Sequence, residues 1–254
     1  MNSKIAAIIA RKGHTPVSEL TAYDYPTARL VDEAGVDMIL VGDSLGMVML
    51  GYPDTTHVTL AHMLHHVEAV ARAAQHAVVI ADMPIHTYDT PEQALATAHA
   101  LMAVGADAVK LEGGAAMEAQ IRAITQAGIP VQGHIGLLPQ KVREDGGYRM
   151  RGKTDEEAAA LMRDMEAVVR AGAFSVVIEC TKHSVAKAIT EACPIITIGI
   201  GAGRGTCDGE VAVFHDLVGG YPWFTPSFAR PKANIAGEIT RAVKEYIAEV
   251  RQPE

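Results

Sequence analysis

The sequence predicts an α/β protein, a single (β/α)8 TIM barrel spanning residues 1–254. Three observations carry this. Short, continuously apolar, β-branched runs recur along the chain. Ala-rich stretches with helical periodicity lie between them. Several of these stretches end in a glycine just before the next apolar run, as at Gly35, Gly105, Gly128 and Gly172. Runs without polar alternation belong to strands buried on both faces, which is the mark of a parallel sheet covered by helices. A glycine after each helix supplies the left-handed cap that turns the chain into the next strand. The length of 254 residues suits one barrel, which takes about 250. A doubly wound open sheet uses the same units and is the alternative.

Residues 1–18 read as an N-terminal capping segment. Lys4, Arg11 and Lys12 punctuate it, and it lacks the apolar core and cleavage site of a signal peptide. Leu20-Thr21-Ala22 opens the strand series. Met38–Val41, Val78–Ala81, Ala108–Leu111, Ile129–Val131, Val176–Ile178 and Ile195–Ile198 follow, and Val211–Phe214 closes it. The clearest helices are Pro91–Val104, with proline at a favourable first position, and Asp155–Ala171.

Composition narrows the function classes. About half the residues are apolar (49%), enough for a large core, yet no run approaches the roughly 18 residues of a membrane span. A formal net charge of −8 disfavours nucleic acid and anionic membranes as partners. Three cysteines, Cys180, Cys193 and Cys207, cannot build a disulfide framework and have no zinc-site spacing. The expectation is a cytoplasmic protein with reduced thiols.

The chemistry lies where the apolar runs end. The second run ends in Gly42-Asp43-Ser44, the third in Asp82, the fourth carries Lys110 and ends in Glu112, the fifth ends in Gly133-His134, and the sixth in Glu179. In a parallel barrel these ends share one face, where active sites form. Each residue has a plainer reading alone: a helix cap for a single Asp, a surface position for Lys110, a core histidine for His134, an ion pair for Glu179. Together they are harder to dismiss. Asp43, Asp82 and Glu112 close three successive strands, and unpaired carboxylates so placed repel. A hard divalent cation relieves that repulsion, and oxygen-only ligands favour magnesium or manganese over zinc. The run Gly199-Ile-Gly-Ala-Gly203 lacks P-loop and Rossmann context and reads as a tight turn or a close backbone approach to substrate. His57, His62, His65 and His66 lie on or beside a helix and read as helix-face residues.

On these residues the chain resembles the ketopantoate hydroxymethyltransferase family, from about Leu20 to about Val250. The matching stretches include Leu20-Thr-Ala-Tyr-Asp-Tyr25, Val41-Gly-Asp-Ser-Leu-Gly46, Val109-Lys-Leu-Glu-Gly-Gly114, Gly133-His-Ile-Gly-Leu137 with Pro139-Gln140, Gly146-Gly-Tyr148, Glu179-Cys180, Gly199–Gly203 and His215-Asp-Leu217. The resemblance implies a barrel of the phosphoenolpyruvate mutase/isocitrate lyase type and a homo-oligomer, often a decamer. It implies hydroxymethyl transfer from 5,10-methylenetetrahydrofolate to 3-methyl-2-oxobutanoate, giving ketopantoate for pantothenate biosynthesis. It places Asp43, Asp82 and Glu112 around magnesium (manganese or cobalt in its place), Asp43, Ser44, Asp82 and Lys110 at substrate, and Glu179 as proton acceptor. Such a site would stabilise an enolate through the metal and Lys110, with His134 bonding substrate or shuttling a proton.

The sequence departs from the family pattern at Asp54–Thr59, including His57, at Ile85 and His86, at Ala71-Arg72-Ala73, and at Thr181-Lys182-His183 after Glu179-Cys180. The metal and base positions are intact. A paralogue using another 2-oxo acid or one-carbon donor, a C–C bond lyase of the same superfamily, and a non-catalytic scaffold are the competing readings.

Overall fold

Eight parallel strands close into a barrel in simple chain order in the computed structural model, which describes residues 2–252. The strands are β1 (Val17–Thr21), β2 (Met38–Val41), β3 (Val78–Asp82), β4 (Ala108–Lys110), β5 (Val131–Gly136), β6 (Ser175–Glu179), β7 (Ile196–Ile200) and β8 (Gly209–Ala212). The closed ring excludes the open-sheet alternative, and the Val17 amide donating to the Asp208 carbonyl at 2.9 Å helps join last strand to first.

Between the strands run α2 (Tyr25–Glu33), α3 (Leu45–Val48), α4 (Leu60–Ala73), α5 (Pro91–Ala103), α6 (Glu118–Gln126), α7 (Asp155–Arg170) and α8 (His183–Ala192). Their starts are set by side-chain caps: Asp24 accepts from the Thr27 amide, Thr59 from His62, Thr90 from Gln93 and Thr154 from Glu157. Gly35, Gly105, Gly128 and Gly172 all have φ between +82° and +106°, the turn expected after each helix.

The N-terminal α1 (Ser3–Ile9) turns Ile5 and Ile8 into a core cluster with Val17, Met38, Val78, Phe174 and Ile196. Apart from Phe174, one residue before β6, those are the first residues of their strands, so α1 covers the end of the barrel opposite the strands' C-terminal mouth.

Two strands differ from the sequence reading. β1 begins three residues before Leu20, because its burial alternates: Val17, Glu19 and Thr21 are buried while Ser18 is exposed. A glutamate on the buried face hid the strand from a search for apolar runs. β5 begins at Val131 and extends to Gly136, because Pro130 has no N–H for the ladder. His134 therefore sits inside β5.

Residues Met1–Val211 form one compact unit and Ala212–Glu254 a second. The second unit contains α9 (Phe214–Val218), ended by left-handed Gly219, and α10 (Ile235–Arg251), capped by Asn234. Among the described residues no helix is long and apolar enough to cross a membrane.

Candidate active site

Side chains alternate along a strand, so residues two apart share a face. That rule stacks Lys110 below Glu112 on one strand exit and Gln132 below His134 on the next. The register then sets neighbours side by side: Asp82 pairs with Lys110, Lys110 with Gln132, and Gly136 with Glu179. The mouth of the barrel collects Asp43, Asp82, Lys110, Glu112, His134 and Glu179, as the sequence predicted.

Lys110 donates to both oxygens of Asp82, at 2.8 and 2.9 Å, and its ammonium lies 3.9 Å from Glu112. The Asp43 amide also donates to Asp82, at 3.2 Å. Burial works against the charge of Lys110, but Asp82, Glu112 and Asp43 outweigh it and hold the ammonium above its ordinary range. Burial and the charge of Asp82 push the Asp43 carboxyl up to about 8. Burial likewise raises the carboxyl of Glu112 well above its usual range.

His134 stands between two carboxylates. Its Nδ1 is 3.6 Å from Glu112 and its Nε2 is 3.3 Å from Glu179. Burial lowers its pKa, against the pull of Glu179 and Asp82, which favours the neutral ring. Glu179 is the most open of these groups, with a side chain 14% exposed against 2% for Asp82, Glu112 and His134. Its backbone is fixed: the Glu179 carbonyl accepts from the Leu137 amide at 2.9 Å and from Thr181 Oγ1 at 3.0 Å. Gly136 lies so close to that carbonyl, at φ +96°, that a side chain there would collide with it. Ser44, at the start of α3, bonds Tyr23 Oη at 2.9 Å.

Sequence reasoning gave no role to the residue that ties the cluster together. Gln140 donates its amide N–H to Glu112 at 3.0 Å, and its side chain donates to Asp43 at 2.9 Å and to the Met83 carbonyl at 3.0 Å. Tyr88 donates to the Gln140 side-chain carbonyl. One loop residue thus orients two of the carboxylates. The only available signal was its place in the Pro139-Gln140 pair after β5.

The donor set can be weighed against a divalent ion. Among the described residues no three His, Cys, Asp or Glu side chains form a ready-made cage. Three carboxylates nevertheless face the one ammonium of Lys110, and Glu112 Oε1 is buried with no hydrogen-bond partner among the described residues. Buried carboxyls whose protons a cation would replace, an orphaned oxygen and oxygen-only donors suit a hard cation. Asp82 is the residue that would have to share itself between Lys110 and such an ion.

Other singled-out residues have local roles. Thr59 and His62 form a capping box, His66 Nδ1 lies 2.6 Å from the Tyr23 carbonyl, and Tyr52 stacks near His57 and His62. Gly201 and Gly203 adopt φ of +62° and +95°, a tight turn against His183. Of the departure positions, His57, His86 and Lys182 are exposed, and Thr181 bonds the main chain of Glu179.

Comparison with known proteins adds an independent line. The family model for ketopantoate hydroxymethyltransferase matches residues 2–254. A 3-methyl-2-oxobutanoate hydroxymethyltransferase of Pyrobaculum aerophilum is 55% identical over 241 residues, covering 94% of this chain and 91% of that protein. Its counterpart in Ignicoccus hospitalis is 54% identical over 236 residues, covering 92% and 89%. Among solved structures, a putative phosphonomutase from Burkholderia cenocepacia superposes with a TM-score of 0.70 at 18% identity, covering 96% of this chain and 98% of that one. A 2,3-dimethylmalate lyase of the PEP mutase/isocitrate lyase superfamily gives 0.64 at 16% identity, covering 99% and 88%. These two likenesses concern the fold alone.

Proposed function

The chain belongs to the ketopantoate hydroxymethyltransferase family, and we propose that it transfers a hydroxymethyl group from 5,10-methylenetetrahydrofolate to 3-methyl-2-oxobutanoate, giving ketopantoate for pantothenate biosynthesis. The observation that carries this reading is the placement of Glu179. It stands on β6, open to the mouth and apart from the Asp82–Lys110 pair, with neutral His134 between it and Glu112.

A small 2-oxo acid presents a carboxylate and a ketone on adjacent carbons. Lys110 offers the buried positive charge that such an anion needs, and Ser44 a hydroxyl at the rim. Magnesium held by Asp43, Asp82 and Glu112, with manganese or cobalt serving in its place, would supply Lewis acidity at the ketone oxygen. Glu179 takes the proton from C3, a role suited to a carboxylate that is neither locked to Lys110 nor fully buried. His134 Nε2 faces Glu179, so the imidazole can hold that carboxylate or relay its proton inward. The enolate carbon then bonds to the methylene carbon of the folate as one of its two C–N bonds breaks, water adds the hydroxyl as the other breaks, and tetrahydrofolate leaves with one proton from C3 and one from water. Gln140 keeps Asp43 and Glu112 oriented throughout.

Cytoplasmic location and a homo-oligomeric state, a decamer by family resemblance, complete the reading. Trp223 is 81% exposed, and α10 carries an exposed apolar stripe at Ile235, Ile239, Val243, Tyr246 and Val250. Both features support self-association. The test is an assay of purified protein with 3-methyl-2-oxobutanoate, methylenetetrahydrofolate and magnesium beside other 2-oxo acids. Ketopantoate formed fastest from 3-methyl-2-oxobutanoate is expected. A clear preference for another oxo acid moves the assignment to a paralogous reaction.

A further inference from the structure

Level with Asp82 and Lys110 the barrel interior stays polar around the wall. The register of β3 to β6 sets Asp82, Lys110, Gln132 and Ser175 in one row around the wall. Residues paired across parallel strands face the same side, so the row points into the barrel. Gln132 Nε2 continues it across the interior, donating to Glu19 Oε2 on β1 at 3.0 Å. Glu19, Gln132 and Ser175 are 3%, 0% and 0% exposed. Each keeps one polar atom without a hydrogen-bond partner among the described residues: Glu19 Oε1, Gln132 Oε1 and Ser175 Oγ.

An orphaned buried polar atom is costly, because it has given up its water without gaining a partner. Three in one interior row is a heavy cost in a wall that could have been valine and isoleucine. Proteins meet it with internal water, which takes two to four polar partners at once. Burial pushes the Glu19 carboxyl up to about 7, against the pull of the Gln132 bond and the Lys110 charge. A carboxyl that retains its proton part of the time near neutral pH can donate as well as accept.

We propose that Glu19, Gln132 and Ser175 form a site for internal water inside the barrel, and that this hydrated row positions Lys110 from its flank. These are positioning residues, not catalytic ones. The second half of the proposal rests on the reading of Lys110 as a substrate-binding residue; the first half does not.

A crystal structure of the full chain at high resolution tests the first half without any assay. Ordered water within about 3 Å of at least two of the three oxygens is expected. A dry interior, or oxygens turned onto protein partners, overturns it. Ser175→Ala and Gln132→Met test the second half. Each should lose water density and raise KM for 3-methyl-2-oxobutanoate about tenfold, with kcat changed less than KM, as the loss of one well-placed bond around a charged group would do. Two variants guard against one failing to fold. Unchanged KM in a folded variant that has lost the water overturns the positioning role.

Discussion

At the residue scale the site is a problem of charge. Three buried carboxylates are offset by one lysine, and Lys110 and Asp82 depend on one another. Their side chains are 5% and 2% exposed. Removing one partner of a buried pair strands the other, a loss of about 3–5 kcal/mol. Lys110→Met should therefore lower stability by that much in thermal or denaturant unfolding. The double variant Lys110→Met/Asp82→Asn should recover most of it. A double variant as unstable as the single one would show that the pair is not what holds these residues. Asp43 gives a second test, of the metal. Its folded pKa is raised from 3.8 to about 8, chiefly by burial. The folded state thus holds this proton more tightly than the unfolded chain does. Its contribution to stability is full below the ordinary carboxylate pKa and is lost as pH rises towards about 8. The metal-free protein should lose Tm across that window, and magnesium should restore more of it at the upper end than at the lower. A Tm indifferent to magnesium at both ends, with activity that survives a chelator, would remove the metal from the account.

At the scale of elements, each strand delivers its polar residue because the alternating pleat and the parallel register leave no choice of face. β5 and β6 show how narrow the tolerance is. Gly136→Ala would force a side chain onto the Glu179 carbonyl in a backbone region that alanine avoids. We expect a folded but destabilised protein, down by about 1–3 kcal/mol, with a larger relative loss of activity because the base moves. Wild-type activity in that variant would mean that β6 can shift without displacing Glu179. This is also the scale at which the sequence was most and least legible. Strands β2, β3, β6 and β7 are apolar runs, and their terminal Asp43, Asp82 and Glu179 could be read directly. β1 was displaced because Glu19 occupies an inward position, and β5 because Pro130, in the middle of the expected run, has no N–H to donate to the ladder. Gln140 and Tyr88 were invisible as site residues for a different reason. Their roles come from loops folding back over the mouth, and no periodicity encodes a loop's path.

At the scale of the molecule, the barrel unit and the unit of Ala212–Glu254 differ in what they expose. The barrel buries most of its strand residues, whereas α10 leaves apolar residues at positions 235, 239, 243, 246 and 250 exposed, a stripe at helical spacing. A homo-oligomer would cover such a stripe. Sedimentation at micromolar concentration should give a species several times the 26.9 kDa chain, and Ile239→Asp/Val243→Asp should shift it towards smaller species. A wild-type monomer would contradict the oligomer.

The whole arrangement converges on one event, removal of the C3 proton by Glu179. Deuterium exchange into C3 of 3-methyl-2-oxobutanoate, measured without folate, isolates that event from the transfer that follows. Glu179→Gln should bind substrate and magnesium as the wild type does, yet exchange more slowly by about 10²–10⁴-fold, the usual worth of a general base. Exchange at near the wild-type rate in Glu179→Gln would contradict the account and turn attention to His134, 3.3 Å away.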